Sequence, residues 1–220
     1  MFNKFFTILL CLIPCYGFAV DNCLRFKYNV DVNITNTTDN NTTFEKSSEN
    51  LVGKLGYTLS NIEYSYQVLM IPIKVTDGYC LSLRSIDVNI KPKFNIVLDK
   101  RLKDDSCAYK IVYQHEQDHK NVFEKTIKDN IDNIKKAIIE ASKSVKPVFI
   151  KDMDAANNVQ TESTKSIEKH KSVEKIKEKI QNTIDEENQK IDTRGDDYSI
   201  WKCEDFYNEM KDFYESITID

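Results

Sequence analysis

The N-terminal half of the chain alternates apolar and polar residues. Every second residue is apolar over positions 26–34, which is the period of a half-buried strand. Runs rich in apolar residues at 62–75 and 79–90 flank residues 76–78, whose Asp-Gly pair is a strong signal for a β-hairpin turn, and a shorter run follows at 94–98. These patterns predict a small antiparallel sheet of roughly three to five strands.

After residue 105 the pattern changes to the three- and four-residue spacing of an amphipathic helix. Asp105 or Ser106 can cap the start of this helix, because a side-chain oxygen there accepts a hydrogen bond from an otherwise unpaired backbone N–H. We predict one long helix over residues 107–143. His115 and His119 belong to its apolar stripe, so both imidazoles are expected to face the protein interior.

A second amphipathic segment covers residues 163–191, and two such helices usually pack as a hairpin. The aromatic-rich segment 201–217 predicts a closing helix. We therefore expect an α+β protein in which the small antiparallel N-terminal sheet packs on the long helix, followed by the helical hairpin and the closing helix. The expected boundaries are a sheet-and-helix domain over 20–144, a linker over 145–162, and a C-terminal helical part over 163–220 that packs on the first domain.

The first residues are organised like a secretory signal peptide. Lys4 supplies the positive charge, residues 5–14 are apolar, and Gly17 and Ala19 are small enough for the cleavage site. The apolar run is well short of the roughly 20 residues that a bilayer-spanning helix requires. We expect residues 1–19 to be removed, leaving a protein without a stable membrane anchor that is periplasmic or secreted.

Four cysteines lie beyond the expected cleavage site, at positions Cys23, Cys80, Cys107 and Cys203. An even number in an exported protein predicts disulfides, although the sequence leaves every pairing open. We favour Cys80–Cys107, which joins a strand to the start of the long helix, and Cys23–Cys203, which joins the two chain ends. A cysteine metal site is disfavoured because no two of these cysteines have the short spacing that such sites use.

The charge pattern excludes some partners. The net charge is −4, and lysines and glutamates are interspersed along the chain, so neither a nucleic-acid groove nor an anionic membrane surface is indicated. Abundant Asn, Ile and Lys with five glycines suggest an AT-rich bacterial genome.

The candidate chemistry lies in the long helix, where His115, Glu116 and His119 form the pattern His-Glu-x-x-His. Histidines four residues apart on a helix project side by side, so both can present an imidazole nitrogen to one Zn²⁺. Glu116 can take a proton from a water molecule that the metal activates and pass it to the leaving amine. The pattern indicates metal-assisted amide hydrolysis. The alternative is that both histidines are core residues whose polar atoms are satisfied by neighbours.

This pattern resembles that of the zincin metallopeptidases. Their fold places such a helix under a mixed or antiparallel sheet, with the peptide substrate along an edge strand. The resemblance implies that His115 and His119 are zinc ligands and that Glu116 is the catalytic base. The metzincin branch is excluded because it would continue with Gly at 122 and His at 125, where this chain has Val122 and Lys125.

A closer resemblance covers residues 75–203. Residues 106–109 before the motif and Ile-Asp-Thr at 191–193, followed by Tyr198 and Cys203, resemble small exported proteobacterial proteins described as predicted secreted zinc proteases of unknown function. Within this span only the zinc motif is specific.

The third ligand is expected from outside the long helix. If the two long helices pack antiparallel, the acidic end of the second lies opposite the histidines, which brings Glu186, Glu187, Gln189 and Asp192 into range. Acids are ordinary zinc ligands, and the family-like segment contains Asp192, so we choose Asp192 first and Glu187 second. The alternative is that Asp192 merely ends the helix in a turn.

The leading functional hypothesis is a periplasmic or secreted zinc-dependent metallopeptidase that acts on a peptide or protein substrate with Zn²⁺ as its cofactor. One alternative is a non-catalytic envelope protein that binds a partner on a zincin-like scaffold. A second alternative is a non-proteolytic zinc hydrolase such as a cell-wall amidase. The sequence contains no sugar-binding signature that would support it.

Overall fold

The computed structural model describes residues 23–37, 42–48, 55–194, 202–204 and 206. The signal peptide expected at 1–19, Tyr198 and most of the closing helix expected at 201–217 lie outside these residues. Among the described helices, none combines the length and the apolar character needed to cross a membrane.

Two long strands form the centre of the fold. Strand β3 (Gly56–Val75) and strand β4 (Gly78–Leu98) pair antiparallel along their whole length, with one register shift beside Leu69. The turn between them is Thr76 and Asp77, so the hairpin predicted from the Asp-Gly pair is present.

Three short strands share the other edge of β4. Strands β1 (Asp31–Asn36) and β2 (Thr42–Lys46) pair with it in parallel, and β5 (Val148–Ile150) pairs antiparallel. The sheet is therefore mixed, and the prediction of a small antiparallel sheet is wrong. The physical reason is that an alternating pattern gives a strand and its buried face, but the same alternation occurs in parallel and antiparallel pairs.

One face of this sheet is buried and the other is polar. The even-numbered residues of β4 from Ile86 to Leu98 are buried under the helices. The opposite face carries cross-strand hydrogen bonds between polar side chains, for example from Asn33 to Asp87. The fold is therefore two layers, with every functional residue discussed below on the helical side of the sheet.

In the described part of the chain, the helical layer contains three long helices, α1 (Cys107–Ser142), α2 (Ala156–Glu168) and α3 (Lys171–Thr193). Ser106 caps α1 by accepting a hydrogen bond from the backbone N–H of Tyr109, so the long helix predicted from residue 107 is confirmed.

The segment expected to be a linker, 145–162, is not one. It contains β5, a 3-10 turn over Met153–Ala155 and the first half of α2. The part of α2 within this segment packs on the core through Ala156 and Val159, and the helix continues through the buried Ser163 and Ile167. The helix expected over 163–191 is likewise divided. Helix α2 ends at Glu168, and His170 caps the next helix by accepting a hydrogen bond from the backbone N–H of Ser172.

A single large core joins the sheet to all three helices. Its fully buried members include residues from β4, α1, α2 and α3, namely Ile86, Ile90, Ile127, Ile138, Ile167, Ile180 and Ile184. Because this core spans both sides of the expected linker, α3 is held firmly against α1. A smaller cluster around Leu102, Ala108 and Val112 supports the start of α1.

The structure contains two disulfides, Cys23–Cys80 and Cys107–Cys203, and the pairing favoured from the sequence is wrong. The parallel pairing of β1 with β4 explains the first bond. Asp31 lies opposite Ser85, so the residues that precede β1 lie beside the start of β4, where Cys80 is located. The two disulfides are compatible with an exported protein.

Candidate metal centre

The two histidines of the motif lie side by side on α1. Their Nε2 atoms are 3.1 Å apart, and each side chain is only 13 % exposed. The rings meet edge to face, with centroids 4.8 Å apart. The spacing of four residues on a helix is therefore sufficient to bring two imidazole nitrogens of His115 and His119 to one point.

Asp192 reaches this point from the last turn of α3. Its Oδ1 atom lies 3.1 Å from His119 Nε2 and 3.5 Å from His115 Nε2. Helices α1 and α3 are antiparallel, since Ser172 donates a hydrogen bond to the carbonyl of Ala137 at one end of the pair while Asp192 meets the histidines at the other. The Asp192 side chain is 61 % exposed, so the centre opens toward solvent on this side.

The three atoms form a group that can hold a metal ion. A tetrahedral ion with nitrogen and oxygen ligands at about 2.0–2.1 Å separates those ligands by roughly 3.3 Å, which is close to the observed separations of the three atoms. Two imidazoles and one carboxylate are also a donor set that divalent transition metals accept. The residues present therefore fit a bound ion in both spacing and chemistry.

Asn188 orients one of the two histidines. Its Oδ1 atom lies 3.0 Å from His119 Nδ1, and an amide oxygen there favours the tautomer whose Nδ1–H donates a hydrogen bond to it. The lone pair of Nε2 is then directed at Asp192 and His115, as in metal sites whose histidines are held by an outer hydrogen bond. Sequence reasoning missed Asn188, although its position one turn before Asp192 places both on one face of α3.

His115 is held in a different way. Its Nδ1 atom is buried and has no hydrogen-bond partner within the part of the chain that the structure describes. Its ring is held by the edge-to-face contact with His119. Among the described residues, only His119 has a hydrogen-bond partner on its Nδ1 atom.

An ion pair lies beside the three-residue group. Arg194, two residues beyond Asp192, donates to Asp118 Oδ2 at 2.9 Å, and Gln114 donates to Asp118 Oδ1 at 3.0 Å. Asp118 lies on α1 between the two histidines in sequence. The pair therefore ties the last turn of α3 to the turn of α1 that carries the ligands, although both partners are partly exposed and the contact is weak by itself.

Glu116 faces the sheet and is nearly fully buried, with 4 % of its surface exposed. The hydroxyl of Thr58 on β3 lies 2.8 Å from Glu116 Oε2 and 3.1 Å from the Glu116 main-chain oxygen. Burial raises the pKa of Glu116, because desolvation disfavours its charged form, while the Thr58 hydrogen bond and the two histidines act in the opposite direction.

Gly56 permits the close approach of β3 to α1. A Cβ atom at this position would lie 2.8 Å from Val112 Cγ1 and 3.1 Å from both Glu116 Oε1 and Leu98 Cδ2. A side chain there would displace the carboxylate or the helix. Sequence reasoning missed Gly56 and Thr58, because they lie about 60 residues before Glu116 and no local pattern links them to it.

The second-choice ligand lies apart from the group. Glu187 forms an ion pair with Lys190 on the same helix and does not belong to the three-residue cluster.

Comparisons with known proteins found no similar protein. No protein-family model, no curated protein and no solved structure matches the chain. The resemblance to zincins therefore depends on the motif alone, and the activity that it implies belongs to the proposal below.

Proposed function

We propose that this protein is an exported zinc-dependent metallopeptidase. The observation that carries the proposal is the convergence of His115 Nε2, His119 Nε2 and Asp192 Oδ1, with Glu116 on the same helical turn as the histidines. Three protein ligands that leave further positions open are the pattern of catalytic zinc sites, whereas structural sites are closed by four. The open, solvent-facing side of Asp192 agrees with access for a substrate.

The residues around the cluster support a catalytic role. Zinc bound here would activate a water molecule and polarise the carbonyl of the scissile peptide bond. Glu116 would accept the proton of this water and later donate it to the leaving amine. Thr58 holds one carboxylate oxygen of Glu116 and Gly56 lets the strand lie against the other, so the side chain is fixed before the substrate arrives.

Two measurements test the proposal. Mature protein loaded with zinc and dialysed is expected to retain one equivalent of metal, and His115→Ala is expected to lose it. The parent protein is expected to cleave denatured proteins or a peptide library, with products read by mass spectrometry. Glu116→Gln is expected to keep the metal and lose cleavage by about 10²–10⁴-fold, the usual contribution of a general base.

Glu124→Gln is the matched control, because Glu124 lies two turns further along α1 in a partly exposed ion pair with Lys120. It is expected to leave both metal content and cleavage unchanged. Failure to retain metal, or full activity in Glu116→Gln, would contradict the proposal. Retained metal without hydrolysis would favour the partner-binding alternative, and cleavage of peptidoglycan fragments alone would favour a zinc amidase.

A further inference from the structure

A groove of about 320 Å³ lies between strand β3 and helices α1 and α3. Its walls are residues 60–62 and Tyr64 of β3, Phe123 of α1, and Lys177, Glu178 and Gln181 of α3.

The groove leads away from the catalytic residues. Phe123 lies one helical turn beyond His119, and Ser60 lies two residues beyond Thr58, which binds Glu116. On α3, Lys177 lies 15 residues before Asp192, which is about 22 Å along a helix and corresponds to roughly six or seven residues of extended peptide. A chain held at the metal centre can therefore reach Lys177 in an extended conformation.

The outer edge of β3 bounds this groove. Within the described residues β3 pairs only with β4, so its other edge has no strand partner there. Asn61 and Ile62 both line the groove although successive residues of a strand point to opposite faces, which places the groove along the edge itself. An unpaired strand edge offers backbone N–H and C=O groups to an extended peptide.

Lys177 is the one cation among the lining residues. Its Nζ atom lies 4.6 Å from the ring centroid of Tyr64 and 5.2 Å from that of Tyr66. It forms no ion pair with any described residue, and Glu168 and Glu174 act on it only at longer range. Partial burial lowers the pKa of Lys177, so the cation is incompletely compensated by the protein.

Charge complementarity therefore favours an anionic group beside Lys177. A carboxylate that enters the groove would meet a partly desolvated cation, where an ion pair is stronger than at the open surface. Glu178 also lines the groove, but it is exposed, and solvent and salt screen its charge.

We infer that Lys177 makes this groove select peptide substrates that carry an Asp or Glu side chain several residues from the scissile bond. The inference rests on the proposed peptidase function and assigns the substrate class of that same site. Lys177 is a specificity residue that lies remote from the reacting atoms.

The probe is a set of fluorescein-labelled 12-residue peptides on an Ala-Ser scaffold, each with one Glu moved along the sequence and each matched by its Gln counterpart. Binding is measured by anisotropy to the zinc-loaded Glu116→Gln protein, which is expected not to cleave them. The Glu peptide is expected to bind on the order of tenfold more tightly at one register, with a preference that weakens as salt increases.

Lys177→Gln is expected to remove this preference, and Lys177→Arg is expected to retain it. Lys179→Gln is the matched control, because Lys179 is an exposed lysine on the same helix that does not line the groove. Circular dichroism of each variant separates a lost preference from a lost fold, and the salt dependence of the parent's preference tests the charge if Lys177→Gln does not fold.

Equal affinities for the Glu and Gln peptides at every register, or a preference that survives Lys177→Gln, would overturn the inference. Because binding needs no turnover, the two proposals fail separately. If the parent protein cleaves peptides without any acidic preference, the inference about Lys177 is wrong and the proposed peptidase function stands. If acid-selective binding depends on Lys177 but the protein cleaves nothing, the proposed peptidase function is wrong and the acidic-peptide site stands.

Discussion

The amide oxygen of Asn188 lies 3.0 Å from His119 Nδ1, across the interface between α3 and α1. This contact couples the packing of two helices to the proton position on a candidate metal ligand, because an amide oxygen beside Nδ1 favours the proton there and leaves the Nε2 lone pair available to an ion. The metal centre therefore depends on the register between the helices as well as on the motif within α1.

Asn188→Ala is expected to weaken zinc binding by about 10- to 100-fold, the usual effect of removing an outer hydrogen bond from a ligating histidine. Competition with a chromophoric chelator measures the Kd. Asn188→Asp keeps an acceptor and is expected to lose less, while Asn182→Ala, an exposed site on the same helix, serves as the control. An unchanged Kd in Asn188→Ala would show that His119 needs no such partner.

Thr58→Val is expected to lower kcat with little change in KM, because Thr58 positions Glu116 and is not expected to contact the substrate. It also leaves the buried carboxylate without its hydroxyl donor, which costs about 1–3 kcal/mol of stability. Steady-state kinetics and urea unfolding measure the two effects. Thr58→Ser retains the hydroxyl and is expected to keep both kcat and stability near those of the parent. Equal losses of kcat in the Val and Ser variants would contradict the positioning role.

Gly56→Ala is expected to destabilise the fold by about 1–3 kcal/mol, because the added methyl group would press on Val112 and on the Glu116 carboxylate. Thermal unfolding of the metal-free protein measures the change independently of catalysis. Ser60→Ala, at an exposed position on the same strand, is expected to unfold like the parent. A Gly56→Ala protein as stable as the parent would mean that β3 can move away from α1 at little cost.

The disulfide Cys107–Cys203 closes a loop of 96 residues and holds the segment after α3 against the start of the motif helix. Replacing both cysteines by serine is expected to cost about 2–5 kcal/mol of stability. Urea unfolding measures the loss, and non-reducing peptide mapping of the parent tests the pairing directly. Peptides that link Cys80 to Cys107 would contradict this structure.

Zinc is expected to stabilise the native protein, since the three ligands converge only when α1 and α3 are packed together. A zinc concentration 1,000 times the Kd corresponds to about 4 kcal/mol if the unfolded chain does not bind. A chelator is expected to lower the Tm and added zinc to restore it, whereas His115→Ala is expected to respond to neither. A parent protein whose Tm ignores the chelator would argue against a native metal site.

Part of this molecule follows from local sequence. The helix from residue 107 and the side-by-side placement of His115 and His119 depend only on helical period and capping, which involve residues a few positions apart. The hairpin turn at Asp77 is local in the same sense. The acidic end of the second long helix was predicted to lie near the histidines only on the assumption that two amphipathic helices pack antiparallel.

The remaining features join residues far apart in the chain, and only the tertiary structure decided them. A period-two pattern is the same in parallel and antiparallel strands, so it does not predict the parallel direction of β1 and β2. The disulfide partner of Cys23 depends on that direction. Thr58 and Asn188 likewise reach Glu116 and His119 across 58 and 69 residues. The sequence by itself determined which side chains on α1 can meet a metal ion, because helical geometry is local. Folding decided which third side chain, which hydrogen bonds and which groove lie near them, because those depend on how distant surfaces pack.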